Sequence, residues 1–191
     1  MKFLIISSKN SIKKDCLSIL DLLSMMVDVF EYEITSDNNL TIYFDDSNNI
    51  DFNDFILTIN QDFYNDYRGY ISKNYDKDIK LVNKIIIERI ENIPIDDKHI
   101  YLDDKEVLKY LVSSNRITEI VKKEVLGKYY NNQEMLNTIK VYLDNNQNTS
   151  LTAKKLYLHR NTLIFRIEKF NEETKLDIRN FIDGYLVYHL L

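Results

Sequence analysis

The sequence predicts an α+β chain, with a small N-terminal α/β unit followed by an all-α C-terminal domain. Three observations predict it. Up to residue 102, short β-rich runs alternate with segments of helical spacing. After residue 102 the apolar residues recur almost only at helical intervals. Only three Gly and one Pro occur among 191 residues, which leaves little room for long linkers or Gly-rich phosphate loops.

The elements follow in order. Lys2 to Ile6 reads as a short buried strand. Ile12 to Val29 carries Leu17, Leu20, Leu23, Met26 and Val27 at helical spacing. Phe30–Thr35 and Leu40–Phe44 read as strands, joined by a turn at Asp37-Asn38-Asn39. Asp51 or Asn53 caps a helix through Phe55, Ile59 and Phe63. Arg68–Ser72 is a further strand, and Asp76–Ile90 is a helix stopped near Asn92 and Pro94. These runs predict a sheet of three or four strands, with His99–Leu102 as a last extended segment. Asp103 or Asp104 then caps a helix through Leu108 and Leu111, and another helix covers Arg116–Tyr129. From Gln133 onward four helices are expected. The predicted division is an α/β domain over 1–102, a helical connector over 103–132 and a helical domain over 133–191.

Composition narrows the function. One cysteine, Cys16, excludes an internal disulfide and a Cys-based zinc site. The run Met1 to Ile6 is too short for a signal peptide, and Leu17 to Phe30 is broken by Asp21 and Asp28, so a cytoplasmic protein without a membrane span is expected. The net charge of −5 argues mildly against nucleic acid, but it is unevenly spread. Residues 150–170 hold five basic residues against one acid, a local basic patch on an acidic protein.

That patch lies in the most informative segment, Met135 to Phe170. Its first helix places Leu136, Ile139, Val141, Tyr142 and Leu143 on or near one face. Ser150 is expected to cap a short helix with Ala153 and Leu156 turned inward. Tyr157-Leu158-His159 makes the turn, and a third helix starts near Arg160 with Leu163, Ile167 and Phe170 as its apolar stripe. Two helices that cross steeply need a small residue at their contact, which Ala153 supplies, while Leu158 plugs the angle. The last helix then offers its N-terminal end to a major groove. His159, Arg160, Asn161 and Thr162 stand at that end as hydrogen-bonding groups suited to phosphates or base edges. Asn161, Phe165, Glu168 and Lys169 lie opposite the stripe, and Arg160 and Arg166 lie on its flanks.

The run Leu136-x-Thr138-Ile139-x-x-Tyr142-Leu143, then Leu151-Thr152-Ala153-x-x-Leu156, then Leu158-His159-Arg160-Asn161-Thr162-Leu163-x-Phe165-Arg166-Ile167 resembles the C-terminal domain of PucR/CdaR-type bacterial regulators, itself similar to the Fis-type helix-turn-helix. Thr174 to Ile178 resembles the stretch before that domain's last helix, here Tyr185–Leu190. The resemblance covers about 60 residues and implies a bacterial transcription factor, usually dimeric, with a variable upstream region. The expected partners are double-stranded DNA, a second copy and an unknown small-molecule effector, with no cofactor. The expected DNA-binding residues are Lys154, Lys155, His159, Arg160, Asn161, Thr162, Phe165, Arg166 and Lys169.

Other roles are open for these residues at this point. His159 also suits a cap or a turn, Arg166 an intramolecular ion pair, and Lys154, Lys155 and Lys169 a solvated face. Phe165 and Glu168 also suit a protein partner, which is the rival reading of the whole domain. No catalytic constellation is found. His99, His159 and His189 are far apart, and Asp45-Asp46, Asp96-Asp97 and Asp103-Asp104 read as turn and cap residues rather than metal clamps. Cys16 and most of the fourteen tyrosines read as core, so a non-enzyme without a metal site is expected.

Overall fold

β1 (Lys2–Ser8) carries the unbroken apolar run Phe3–Ile6, buried on both of its faces. In the computed structural model, which describes residues 1–45, 50–74, 79–96 and 98–191, it is the central strand of a five-stranded sheet. The other strands are β2 (Asp28–Ser36), β3 (Asn39–Asp45), β4 (Tyr67–Ile71) and β5 (Tyr101–Leu102). The order is β2-β3-β1-β4-β5, antiparallel except for the parallel β4–β5 pair. The chain divides into two compact units, Met1–Tyr110 and Leu111–Leu191.

In the first unit, α1 (Cys16–Ser24) and α2 (Phe52–Phe63) bury Ile19, Leu23, Phe55, Ile56 and Ile59 against Leu4, Ile6, Leu40, Ile42 and Phe44. α3 (Ile79–Ile90) lies on the opposite face. There Asn83 donates to the Tyr43 hydroxyl at 2.9 Å, and Phe3 packs between the Tyr43 and Tyr70 rings. Gly69 permits the close approach of α2, since a Cβ there would stand 2.5 Å from Ile56 Cγ1. Asp51 caps α2 by accepting from the Asn53 and Asp54 amides.

The second unit is helical. The chain reaches it through α4 (Asp104–Ser113), then continues through α5 (Glu119–Leu126), a 3₁₀ turn at Gly127–Tyr129, α6 (Gln133–Asp144), α7 (Thr149–Lys155), α8 (Arg160–Thr174) and α9 (Phe181–Leu190). The α+β architecture is as expected, and four helices follow Gln133.

Several local expectations are corrected. The helix expected over Ile12–Val29 spans only Cys16–Ser24, because pairing with β3 draws residues 28–36 into β2; Leu17 is accordingly exposed. Among the described residues the sheet has five strands rather than three or four, because Tyr101–Leu102 joins β4. The helix expected over Arg116–Tyr129 is shorter, starting after the Thr118 cap and tightening to 3₁₀ at Gly127. Ser150 does not cap α7; Asn148 does, accepting from the Leu151 amide. The expected start of α3 at Asp76, and the members Asp46 and Asp97 of two acidic pairs, lie outside the described residues. Asp103 accepts from the Glu106 amide and Asp104 from the Tyr70 hydroxyl, in keeping with structural duty.

Burial raises the hydroxyl pKa of Tyr43 and Tyr67 above the usual range and pushes Tyr101 up to about 12. In the unfolded chain these hydroxyls ionise near ~10. Their contribution to stability is therefore complete below that pH and is lost as pH rises through the folded values. Burial lowers the Arg68 guanidinium to about 10 and works the other way. Alkaline titration is expected to show tyrosinate absorbance rising together with loss of sheet signal above pH ~10. Free ionisation of all three rings in a still-folded sheet would contradict it. Gly69→Ala is expected to destabilise the first unit by about 1–3 kcal/mol in denaturant unfolding, through the Ile56 clash.

Candidate nucleic-acid interface

The Asn-rich loop between α6 and α7 is a built connector. Asn146 and Gln147 take left-handed backbone with φ of 52° and 59°. Gln147 Nε2 donates to the Ile178 carbonyl at 2.9 Å, and buried Asn145 donates back to the Val141 carbonyl. Asn148 then caps α7. This wiring sets where α7 starts.

The α7–α8 turn has the hydrogen bonds of a Schellman motif. The Leu158 amide donates to the Ala153 carbonyl at 2.9 Å, and the Tyr157 amide to the Lys154 carbonyl at 3.3 Å. Between them Tyr157 is left-handed, with φ 53°, and its side chain is 97% exposed. Such a position favours Gly, because a Cβ crowds the following carbonyl. A bulky ring held there without packing is an outlier of the kind that gathers at working surfaces.

α8 starts at once after this turn. His159 Nδ1 accepts from the Asn161 amide at 3.2 Å, so the ring acts as a cap in its neutral form with the proton on Nε2. Leu163, Ile167 and Phe170 are buried to 0%, 3% and 0% exposure, and Phe170 stacks on Tyr129. Arg160, Asn161, Thr162, Phe165, Glu168 and Lys169 are exposed. The first turn of a fifteen-residue helix is thus polar and open to solvent, with amides and dipole oriented for an anion.

The expected site residues divide by what they touch. Lys154 and Arg160 are exposed and have no ion pair among the described residues. Lys155 donates to Asn145 Oδ1. Lys169 pairs with Glu172 at 2.7 Å and lies 5.7 Å over the Phe165 ring. Arg166 has the ion pair left open by its sequence position: it donates to Glu134 and, at 3.1 Å, to Thr138 Oγ1, tying α8 to α6. The second unit therefore gathers Lys154, Lys155 and the His159–Thr162 run around one turn. Sequence reasoning missed Tyr157, because only its backbone conformation marks it out.

Residues 135–190 match the model of the PucR C-terminal helix-turn-helix domain. This segment is a PucR-type helix-turn-helix domain. The chain is 47% identical over 57 residues to the Bacillus subtilis protein YxkF, covering 30% of this chain and 19% of that one. It is 43% identical to the purine catabolism regulatory protein of Bacillus subtilis, over 26% of this chain and 12% of the relative. It is 38% identical to the carbohydrate diacid regulator of Escherichia coli, over 30% of this chain and 15% of the relative. These matches thus span less than a fifth of each curated relative's length. The crystal structure of a regulator of polyketide synthase expression from Bifidobacterium adolescentis shares the fold, with a TM-score of 0.55 and 14% identity over 98% of this chain and 77% of that one.

Two outcomes test the local geometry. Tyr157→Gly is expected to raise the melting temperature of the helical unit by relieving about 1 kcal/mol of left-handed strain; an unchanged or lower value rejects the strain. His159→Ala is expected to cost about 0.5–2 kcal/mol through the lost cap, with His159→Asn restoring most of it in the same melts.

Proposed function

We propose that the chain is a DNA-binding transcriptional regulator of PucR type that reads duplex DNA with the start of α8, as a homodimer. The observation that carries the reading is the exposed polar first turn of α8, with Arg160, Asn161 and Thr162 outward while Leu163 anchors the helix inward. The regulators named above lend support through the shared domain.

In this reading Arg160 and Asn161 meet base edges and Thr162 meets a base or phosphate. Lys154, Lys155 and Lys169 neutralise phosphates, and His159 offers Nε2–H to one while capping α8. Phe165 meets a thymine methyl. Arg166 acts as a positioning residue through α6. Tyr157 joins the set, its hydroxyl reaching the backbone from the turn. A single module of this size buries little surface, and two half-sites on one dimer supply the remainder. The N-terminal unit acts as sensor, dimerisation element or both. Its open cleft of about 710 Å³, lined by Lys9, Asn60, Tyr64, Asn65, Asp96 and Ile100 among others, is where a small-molecule effector would sit. Such a protein works in a bacterial cytoplasm and needs no catalytic chemistry.

The rival reading, a helix-turn-helix fold that binds a protein, is favoured by Phe165, which is 58% exposed beside Glu168. Selection of genomic fragments with the full chain, followed by a salt series on the enriched duplex, separates the two. DNA reading predicts a two-fold-symmetric site whose log affinity falls with log salt at about −0.9 per phosphate neutralised. Asn161→Ala is expected to lose about 1–3 kcal/mol and relax one base position, whereas Lys154→Ala weakens all sequences alike and flattens the slope by about one. No enrichment, or binding indifferent to salt and to both substitutions, rejects the proposal in favour of a protein partner.

A further inference from the structure

The end of the sheet where β1 stops and β4 begins has more hydrogen-bond donors than acceptors to receive them. Ser7 and Arg68 are paired across these strands, and both are buried, at 4% and 2% exposure. Ser7 Oγ, Arg68 Nε and the nearby Asn65 Nδ2 are withdrawn from solvent and have no hydrogen-bond partner among the described residues. The orientation of Asn65 is fixed by its other end: Oδ1 accepts from the Asp66 amide at 2.9 Å, Asn10 Nδ2 at 3.1 Å and Ser8 Oγ at 3.2 Å, so the amide nitrogen is left over. Arg68 donates through Nη1 to the Ile93 carbonyl at 2.6 Å, and no carboxylate lies within ion-pair distance of it among the described residues. The acceptors nearby are already engaged. Asp66 pairs with Lys9 at 3.0 Å, and Asp96 takes the His99 ring at 2.7 Å and the Lys98 amide at 3.0 Å. Buried polar groups without partners are rare in folded chains, and one that is charged is the most costly kind.

We propose that the cleft at this end of the sheet takes a ligand bearing an oxyanion, a carboxylate or a phosphate, received by the Asn65 amide and answered in charge by Arg68. The cleft of about 710 Å³ is lined by Lys9, Asn65, Asp66, Tyr67, Ile95 and Asp96 among others. These are chain neighbours of the unpartnered donors: Lys9 follows Ser7 by two residues, Asp66 and Tyr67 precede Arg68, and the Ile93 carbonyl that holds Arg68 stands two residues before Ile95. Three features favour an oxyanion. The groups left over are donors, so the ligand must accept. The buried guanidinium is uncompensated, with only the more distant Asp96 opposing the effect of burial, and a neutral ligand would leave that charge unanswered. The donors also come from two sides. Ser8, which holds Asn65, faces the α2 side with Tyr67, while Ser7 and Arg68 face the α3 side. A carboxylate or phosphate, with several lone pairs on more than one oxygen, suits donors arranged in this way. The C-terminal turn of α2 at the rim opposes an anion, but that effect fades beyond the last turn and is screened where it meets solvent. The inference rests on the reading of this cleft as the effector site and names the class of effector. It does not depend on DNA binding.

Titration of the full chain with acetate, inorganic phosphate or neutral acetamide at constant ionic strength tests it, read by the NMR signals of the Asn65 side-chain amide and the Arg68 Nε–H. Acetate or phosphate is expected to shift both signals saturably in the millimolar range, and acetamide to shift neither; the tighter binder tells carboxylate from phosphate. Asn65→Asp keeps the three accepted hydrogen bonds and replaces the leftover donor by a charged acceptor. It is expected to weaken binding at least about tenfold with an unchanged circular dichroism spectrum. Arg68→Gln is expected to weaken it as much; should that variant unfold, Asn65→Asp, at a half-buried position, carries the test. Equal shifts with acetamide overturn the oxyanion and leave the cleft as an effector site for neutral ligands. Saturable shifts elsewhere on the chain, with both signals silent, overturn the cleft as effector site as well. No response to any probe, or binding indifferent to Asn65→Asp, overturns the proposal, while the salt series on duplex DNA judges the regulator reading separately.

Discussion

The burial of Leu163, Ile167 and Phe170 is the contact on which the candidate interface depends. α8 is polar or charged at most of its other positions, and only this narrow stripe fixes how the helix is turned. Fully burying side chains of this size is worth about 1.5–3 kcal/mol each, far more than any surface ion pair nearby. With those three inward, Asn161, Phe165 and Lys169 must point outward, because side chains on a helix are separated by a set angle. Tyr129, Ala153 and the Arg166 bridge to Glu134 and Thr138 refine that placement without setting it.

The turn before α8 answers to a second constraint. Leu158 follows the left-handed residue and directs its amide to Ala153, so α7 ends where α8 can begin. Gly would serve at residue 157 with less strain, yet Tyr157 stands there almost wholly in solvent. A strained and unpacked aromatic is better explained by what lies outside the chain than by anything within it. In the N-terminal unit the corresponding constraint is β1, buried on both faces, with Gly69 admitting Ile56 on one side and Asn83 joining Tyr43 on the other.

The candidate site was legible to unequal degrees. The stripe, the Ala153 contact and the start of α8 at Arg160 follow from spacing, because a helix buries what recurs at its own period. The competing roles of His159 and Arg166 were visible as alternatives, but bond geometry was needed to show the cap and the ion pair. The cap of α7 fell to Asn148 rather than Ser150, since both residues suit the role and only the path of the preceding loop separates them. The helix expected across Ile12–Val29 failed for a similar reason. Its apolar spacing is real, but a strand partner far along the chain overrides local preference.

The sequence by itself determined the class of fold, the helix-turn-helix segment and its outward residues, because these rest on local periodicity, turn chemistry and a specific run of residues around His159. Only the tertiary structure decided the fifth strand, the left-handed Tyr157 and the open aromatic face of α9. Each of these depends on which distant residues meet, or fail to meet. Asp183 illustrates it: in the sequence it places an acid on α9, and in the fold it is turned inward, leaving the open side without one.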